Sequence, residues 1–243
     1  MDSHLYAIVE ELPPAWRPPS APSGPSVALT RVAGLTAVTS PVERTPAASA
    51  PALARHDTIV ASLLHVGAVL PFRFGLVVAT ADLPGWIAAH APSLRASLGQ
   101  VRGCVEMDVR LLRLHCAHAV GLACPACAGG TPDADGLRAV GDRLIEQAGV
   151  ARWRYRSAAG AQGNAAASVA FLVPRREVAA FLSRIAPVAS RAQGIAVVPT
   201  GPWPPYSFAP PVDRLPLAPA AGLGGVRMAG GGAPAPRPRA ADG

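Results

Sequence analysis

The sequence predicts an α+β protein of two units, an N-terminal unit of strands and helices and a ferredoxin-like C-terminal domain, followed by a Pro/Gly-rich disordered tail. Three observations predict it. The chain has 243 residues, more than one domain of ~100–150 residues needs. Its hydrophobic period switches repeatedly between 2 and 3.6, as strands and amphipathic helices in succession require. From Val101 the pattern restarts as strand, helix, strand, strand, helix, strand, the order of a split βαββαβ unit.

Leu5, Ala7 and Val9 alternate with Tyr6, Ile8 and Glu10, and both sets are mostly apolar, so the first strand is expected to be buried on both faces. Pro13 to Pro25 is too rich in Pro and Ser for regular structure and reads as a surface excursion. Ser26 to Arg31 and Leu35 to Ser40 are strands around an Ala33-Gly34 turn. Ser49 suits a helix N-cap and Pro51 its first turn.

The following helix carries His56 at the edge of a stripe of Ile59, Val60, Leu63 and Leu64. It feeds a strand on which Leu70, Phe72, Phe74 and Leu76 share one face, and Pro71, Arg73, Gly75 and Val77 the other. On that alternation Phe72 and Phe74 hold the helix of Ile59 and Leu63 to the sheet, and Arg73 points away from it. Asp82 is expected to cap a helix with Trp86, Ile87, His90, Leu94 and Leu98, which Pro92 is expected to kink or split. The first domain then spans 1–100.

In the second domain, 101–208, Val105, Met107, Val109 and Leu111 face a core, and Glu106, Asp108 and Arg110 face water. Asp135 to Gln147 is a helix, Ala151 to Arg156 and Ala166 to Val173 are strands, Arg175 to Ile185 is a helix and Gly194 to Pro199 is the last strand. Right-handed crossovers place both helices on one face of a four-stranded antiparallel sheet. Residues 209–243 carry no period and read as disordered.

Charge and motifs narrow the chemistry. The formal net charge is +7, carried by Arg alone because the chain has no Lys, and guanidinium suits carboxylates, phosphates and aromatic faces. Met1 to Leu5 does not begin a secretory leader, and no stretch of ~20 apolar residues offers a membrane span. His115, Cys116 and His118 with Cys124 and Cys127 supply zinc-ligand types. Their two halves lie closer than in a zinc hairpin, so a Cys-rich loop is favoured over a metal site.

Arg152, Arg154 and Arg156 form a row opposite Trp153 and Tyr155. An open Arg face could bind nucleic acid, which is the alternative function. Stacking modules, however, put aromatics on that open face. No nucleotide loop, nucleophile elbow or His-Glu-x-x-His stretch occurs, so no catalytic residue and no cofactor is expected.

Several blocks together carry a resemblance. Tyr6-Ala7-Ile8-Val9, Gly34-Leu35-Thr36-Ala37-Val38, His56-Asp57, Val69-Leu70-Pro71-Phe72-Arg73-Phe74-Gly75, Ala170-Phe171-Leu172-Val173 and Gly201-Pro202-Trp203-Pro204-Pro205-Tyr206-Ser207-Phe208 occur in the order seen in the GvpL/GvpF family of gas vesicle proteins, which the chain resembles. The resemblance implies a modified ferredoxin-like N-terminal domain ahead of a second α+β domain, and a cytoplasmic, vesicle-associated accessory protein and not an enzyme. Its implied partners are the hydrophobic shell subunit and other accessory gas vesicle proteins; no membrane partner is expected, and nucleic acid stays the less favoured alternative. Leu70, Pro71, Phe72, Arg73, Phe74, Gly75, Trp203, Pro204, Pro205, Tyr206 and Phe208 transfer as framework or partner-contact positions. Among them Arg73 is the sharpest candidate for contact with a neighbour. Because Pro lacks an amide donor, the Pro-Trp-Pro-Pro segment must strap down its aromatics or present them.

Overall fold

The structure, a computed structural model, describes residues 1–19, 24–114, 134–157, 165–210 and 227–228. Its first part runs β1 (Asp2–Val9), β2 (Ala28–Val32), β3 (Leu35–Val42), α1 (Ala50–Ser62), β4 (Val69–Pro71), β5 (Leu76–Ala79) and α2 (Leu83–Val101). The second part runs β6 (Cys104–Arg113), α3 (Ala134–Ala148), β7 (Trp153–Ser157), β8 (Ala165–Pro174), α4 (Val178–Arg191) and β9 (Ile195–Trp203). A two-residue strand, β10 (Arg227–Met228), pairs with β5. The result is a mixed α+β chain with two antiparallel sheets.

β1 is the central strand of the first sheet, with β3 on one side and β4 and β5 on the other, and this position buries it on both faces. The β2–β3 hairpin closes through Ala33 at φ 50° and Gly34 at φ 70°, the left-handed pair a two-residue turn demands. One sheet face receives α1: Ile59, Val60 and Leu63 pack with Tyr6, Val9, Val38 and Val69. Ser49 caps this helix by accepting from the Ala52 N–H at 3.4 Å, with Pro51 in the first turn. A register shift between Leu5 and Ala7 sends Tyr6 and Ala7 both to the α1 side.

The opposite face receives α2. Leu5, Ile8, Leu70, Phe72, Leu76 and Val78 form one core with Trp86, Ile87, Leu94 and Leu98, and Ala170, Leu172 and Phe208 of the second part join the same cluster. That shared cluster binds the two sheets together. The second sheet has the order β7-β8-β6-β9, and its other face packs α3 and α4 through Met107, Val109, Leu137, Leu144, Phe171, Phe181 and Ile185.

Several expectations need correction. The strand through Val69 to Val77 is not continuous: three steps along β1, from Ala7 to His4, face six steps from Pro71 to Val77. The excess is taken up in a turn at Arg73–Gly75, with Gly75 at φ 90° and the Leu76 N–H reaching the Arg73 carbonyl at 3.4 Å. Period-2 alternation fails there, so Phe74 leaves the Phe72 face. Phe72 lies in the α2 core, so neither Phe fixes Ile59 and Leu63, whose partners are Tyr6, Val9, Val38 and Val69.

Pro92 lies inside one unbroken helix, since a single proline removes only one internal hydrogen bond and neighbouring turns carry the helix past it. Glu106 does not face water; it is 5% exposed under the C-terminal segment. The last strand extends past Pro199 to Trp203 at the edge of its sheet, where proline is tolerated. Of the expected tail, 209–210 and 227–228 are described, and Arg227 and Met228 pair with Val77 and Leu76.

Candidate functional site

The two sequence blocks that stand out most, around Arg73 and around Tyr206, meet at one junction. The first half of that junction is aromatic. The turn at Arg73–Gly75 drops Phe74 edge-on to His4 and His56, with ring centroids 5.2 and 5.7 Å away. His4 and His56 are themselves stacked at 5.2 Å, with Tyr6 against both.

His56 Nε2 donates to the Phe72 carbonyl at 2.9 Å, which fixes that nitrogen as the protonated one and leaves Nδ1 as an acceptor. His4 Nε2 accepts from the Gly75 N–H at 3.4 Å. Burial, and then the neighbouring His56, hold the His4 imidazole down at about 4. Burial lowers His56 as well, against the opposing pull of the Phe72 carbonyl and Asp57. Both rings are therefore neutral near pH 7.

The second half is the closing segment after β9. Glu106 on β6 accepts from the Ser207 N–H at 2.7 Å on one oxygen and from the Ser207 hydroxyl at 2.6 Å on the other. Burial pushes its carboxyl up, while those bonds and the Arg156 charge pull it down. Gly201, at φ 122°, gives the chain its path past Glu106: a Cβ there would lie 2.8 Å from the Glu106 carbonyl oxygen.

Phe208 then inserts into the shared core, with Arg152 and Arg154 over its ring at 5.7 and 5.5 Å. Arg152 also donates to the Gln100 carbonyl at 2.8 Å, and Arg156 pairs with Asp108 at 3.0 Å. Arg152 and Arg156 thus bond within their own chain and Phe208 lies under Arg152 and Arg154, while Arg154 and Arg156 remain exposed. Trp153 and Tyr155 pack on the other face, as their alternation predicts.

Between the halves lies an open cleft of about 250 Å³, reached by His56, Asp57, Arg73, Phe74, Arg156 and Tyr206. Arg73 is exposed, and among the described residues it has no ion-pair partner. The other block positions are not among the residues that line it. Leu70 and Pro71 are buried in the sheet and Gly75 in the turn that follows it, Pro204 and Pro205 are buried within the closing segment, and Trp203 stands 49% exposed at the sheet edge. Its indole N–H donates to the Thr200 hydroxyl at 3.2 Å.

Sequence reasoning missed His4, Glu106, Asp108 and Ser207. Glu106 and Asp108 looked like the wet side of an alternating strand, and the only signal against that was the nearness of a Pro-rich segment able to cover them. The proposed metal ligands Cys116, His118, Cys124 and Cys127 lie outside the described residues. Among the described residues, no cluster of three or more His, Cys, Asp or Glu is placed to hold a metal. No helix among them is long and apolar enough to cross a membrane.

This architecture, two antiparallel sheets joined by a shared core, is the fold of solved gas vesicle proteins. The crystal structure of GvpF from Anabaena sp. PCC7120 is similar with a TM-score of 0.68 and 16% identity, over 86% of this chain and 96% of that one. GvpF from Microcystis aeruginosa is similar with a TM-score of 0.66 and 15% identity, over 86% and 99%. The model of the family described as "Gas vesicle synthesis protein GvpL/GvpF" matches residues 3–129 and 137–210. The chain belongs to the GvpL/GvpF family, and its role is in gas vesicle assembly. No curated protein sequence matches it.

Proposed function

We propose that this protein acts by binding, as an accessory and minor structural protein that engages the hydrophobic shell subunit and other accessory gas vesicle proteins while vesicles nucleate. It works in the cytoplasm and on the vesicle, and catalyses no reaction. One observation supports this reading above the others: the Arg73 turn and the Tyr206 segment, far apart in sequence, build one cleft whose rim carries an exposed guanidinium with no ion-pair partner among the described residues. Exposed Arg and Trp side chains, here Arg73 and Trp203, are enriched in protein interfaces.

The working units are taken as 1–100 and 101–208, since each has its own sheet. The β7-β8-β6-β9 order, with two helices on one face, supports a ferredoxin-like reading of the second. The first, with α1 and α2 on opposite faces, is a modified relative of it. Pull-down of the shell subunit and of the other accessory gas vesicle proteins by the full chain in reducing buffer tests the function. Capture of at least one is expected; capture of none would sink the proposal.

A further inference from the structure

The cleft holds more hydrogen-bonding capacity than its own chain uses. Both oxygens of Glu106 are spent on Ser207. Arg156 spends one nitrogen on Asp108, and Arg73 has no ion-pair partner among the described residues. The Tyr206 hydroxyl and His56 Nδ1 are both buried without a hydrogen-bond partner among the described residues. Burial, followed by the nearby Asp57 and Glu106 charges, pushes the Tyr206 phenol up, so it stays a donor. His56 itself is 2% exposed, and its Nδ1 is an acceptor because Nε2 donates to Phe72. Unsatisfied buried polar atoms cost ~1–3 kcal/mol each, so two beside one cleft call for an explanation.

The free capacity is dominated by donors: two guanidinium groups and a phenol. An acceptor group with negative charge is their complement, and Arg forks match a carboxylate. The volume of about 250 Å³ lies below the ~300 Å³ floor of pockets that take whole small molecules, so one side chain fits better than a metabolite. His56 Nδ1, the acceptor buried beside the cleft without a partner among the described residues, asks for an N–H, which a polypeptide supplies beside its acidic side chain. The formal charge of +7 favours an acidic partner over longer range. Asp57 at the rim opposes all this, and it gives the test its sign.

We propose that the cleft receives one aspartate or glutamate side chain of a partner polypeptide, gripped by Arg73, Arg156 and the Tyr206 hydroxyl, while His56 Nδ1 accepts a main-chain N–H from the same segment. The partner being a gas vesicle protein rests on the function proposed above, whereas the carboxylate specificity rests on the cleft alone.

The experiment is NMR titration of the full-length labelled protein with three probes: acetyl-Ala-Glu-Ala-amide, acetyl-Ala-Gln-Ala-amide and sodium acetate. The Glu peptide is expected to shift signals of Arg73, Tyr206 and His56 saturably, and to bind ~10-fold more tightly than the Gln peptide, as one charge-assisted hydrogen bond predicts. Arg73→Ala and Tyr206→Phe should each weaken it several-fold, and Asp57→Asn should strengthen it. Tyr206→Phe is the sharpest arm, because removing an unsatisfied hydroxyl leaves stability unchanged or raised, so weaker binding by that variant is not a folding defect.

Equal binding of the Glu and Gln peptides, or Glu-peptide affinity indifferent to Arg73→Ala, overturns the inference. Acetate binding as tightly as the peptide overturns its main-chain part and identifies a simple anion site. A working pull-down with no carboxylate preference defeats this inference alone; carboxylate binding without any pull-down defeats the gas vesicle partner alone.

Discussion

Glu106 closes both carboxylate oxygens on a single residue, Ser207, taking its main-chain N–H at 2.7 Å and its hydroxyl at 2.6 Å across 101 positions of sequence. A hydroxyl beside a carboxylate resembles a nucleophile and base, but the same carboxylate also holds that residue's amide. The pair is a clasp that fixes where the closing segment turns down. Its position explains why the segment covers the second sheet: Phe208 follows at once and enters the shared core.

The clasp predicts a graded response. Glu106→Gln keeps the shape but turns an amide donor toward one of the two Ser207 donors, and should cost ~1–3 kcal/mol. Ser207→Ala removes only the hydroxyl bond and should cost less. Urea unfolding of the three proteins by circular dichroism measures the order. Equal stability of all three would show that the clasp contributes nothing.

Phe208 should carry the larger share of the energy. It is 6% exposed, sits among Ala170, Leu172 and the α2 residues, and lies under two guanidinium groups. Phe208→Ala is expected to cost about 3 kcal/mol or more through lost burial and the cavity left behind. Limited proteolysis should then cut first within Pro204 to Pro210, because the anchor of that segment is gone. A variant that unfolds like the parent and resists protease would refute the strap role.

The stacked imidazoles set an acid limit. His4 has a folded-state value of about 4 against an ordinary 6.5, so the unfolded chain binds a proton more readily than the folded one. Stability is fully present above pH ~6.5 and falls as the pH drops toward ~4, by about 3 kcal/mol at most for this ring. His56 acts in the same direction. Glu106, shifted upward, works the other way, so folding gains from its protonation at acid pH and partly offsets the loss. Melting temperatures of the parent and of His4→Gln between pH 7 and 4 check this; the variant should show the flatter profile.

Much of this was legible in the sequence, for reasons that differ by element. The hairpin at Ala33-Gly34, the Ser49 cap and the βαββαβ order are local signals, so tertiary structure had little to add. The Arg73 turn was not legible, because Pro-Phe-Arg-Phe-Gly alternates as a strand would, and only pairing with β1 reveals three surplus residues. Glu106 misled for a related reason: alternation gives the face of a residue but not what lies over that face. Arg152, Arg154 and Arg156 were correctly placed in one row, yet their partners Gln100, Phe208 and Asp108 lie 48 to 56 positions away and leave no local trace.

Gly201 offers a prediction that separates backbone from side chain. At φ 122°, it would bring an added methyl group to 2.8 Å from the Glu106 carbonyl oxygen, which is main chain and cannot swing aside. Gly201→Ala should therefore destabilise by more than the ~1 kcal/mol of an ordinary Gly-to-Ala strain. Gly99, with nothing within 4 Å, is the control and should tolerate Ala. Thermal unfolding of both variants decides it, and similar melting temperatures would show that the path past Glu106 is not tight.

Arg73→Ala separates framework from contact. The side chain is exposed and has no ion-pair partner among the described residues, so its loss should change stability by no more than ~0.5 kcal/mol. Phe74→Ala should cost more, since that ring packs edge-on to His4 and His56. If the cleft is where a partner docks, Arg73→Ala loses capture of gas vesicle proteins at unchanged melting temperature, a combination that a structural role cannot produce. Retained capture with lowered stability would place Arg73 in the framework after all, and the docking surface would then have to be sought at Trp203.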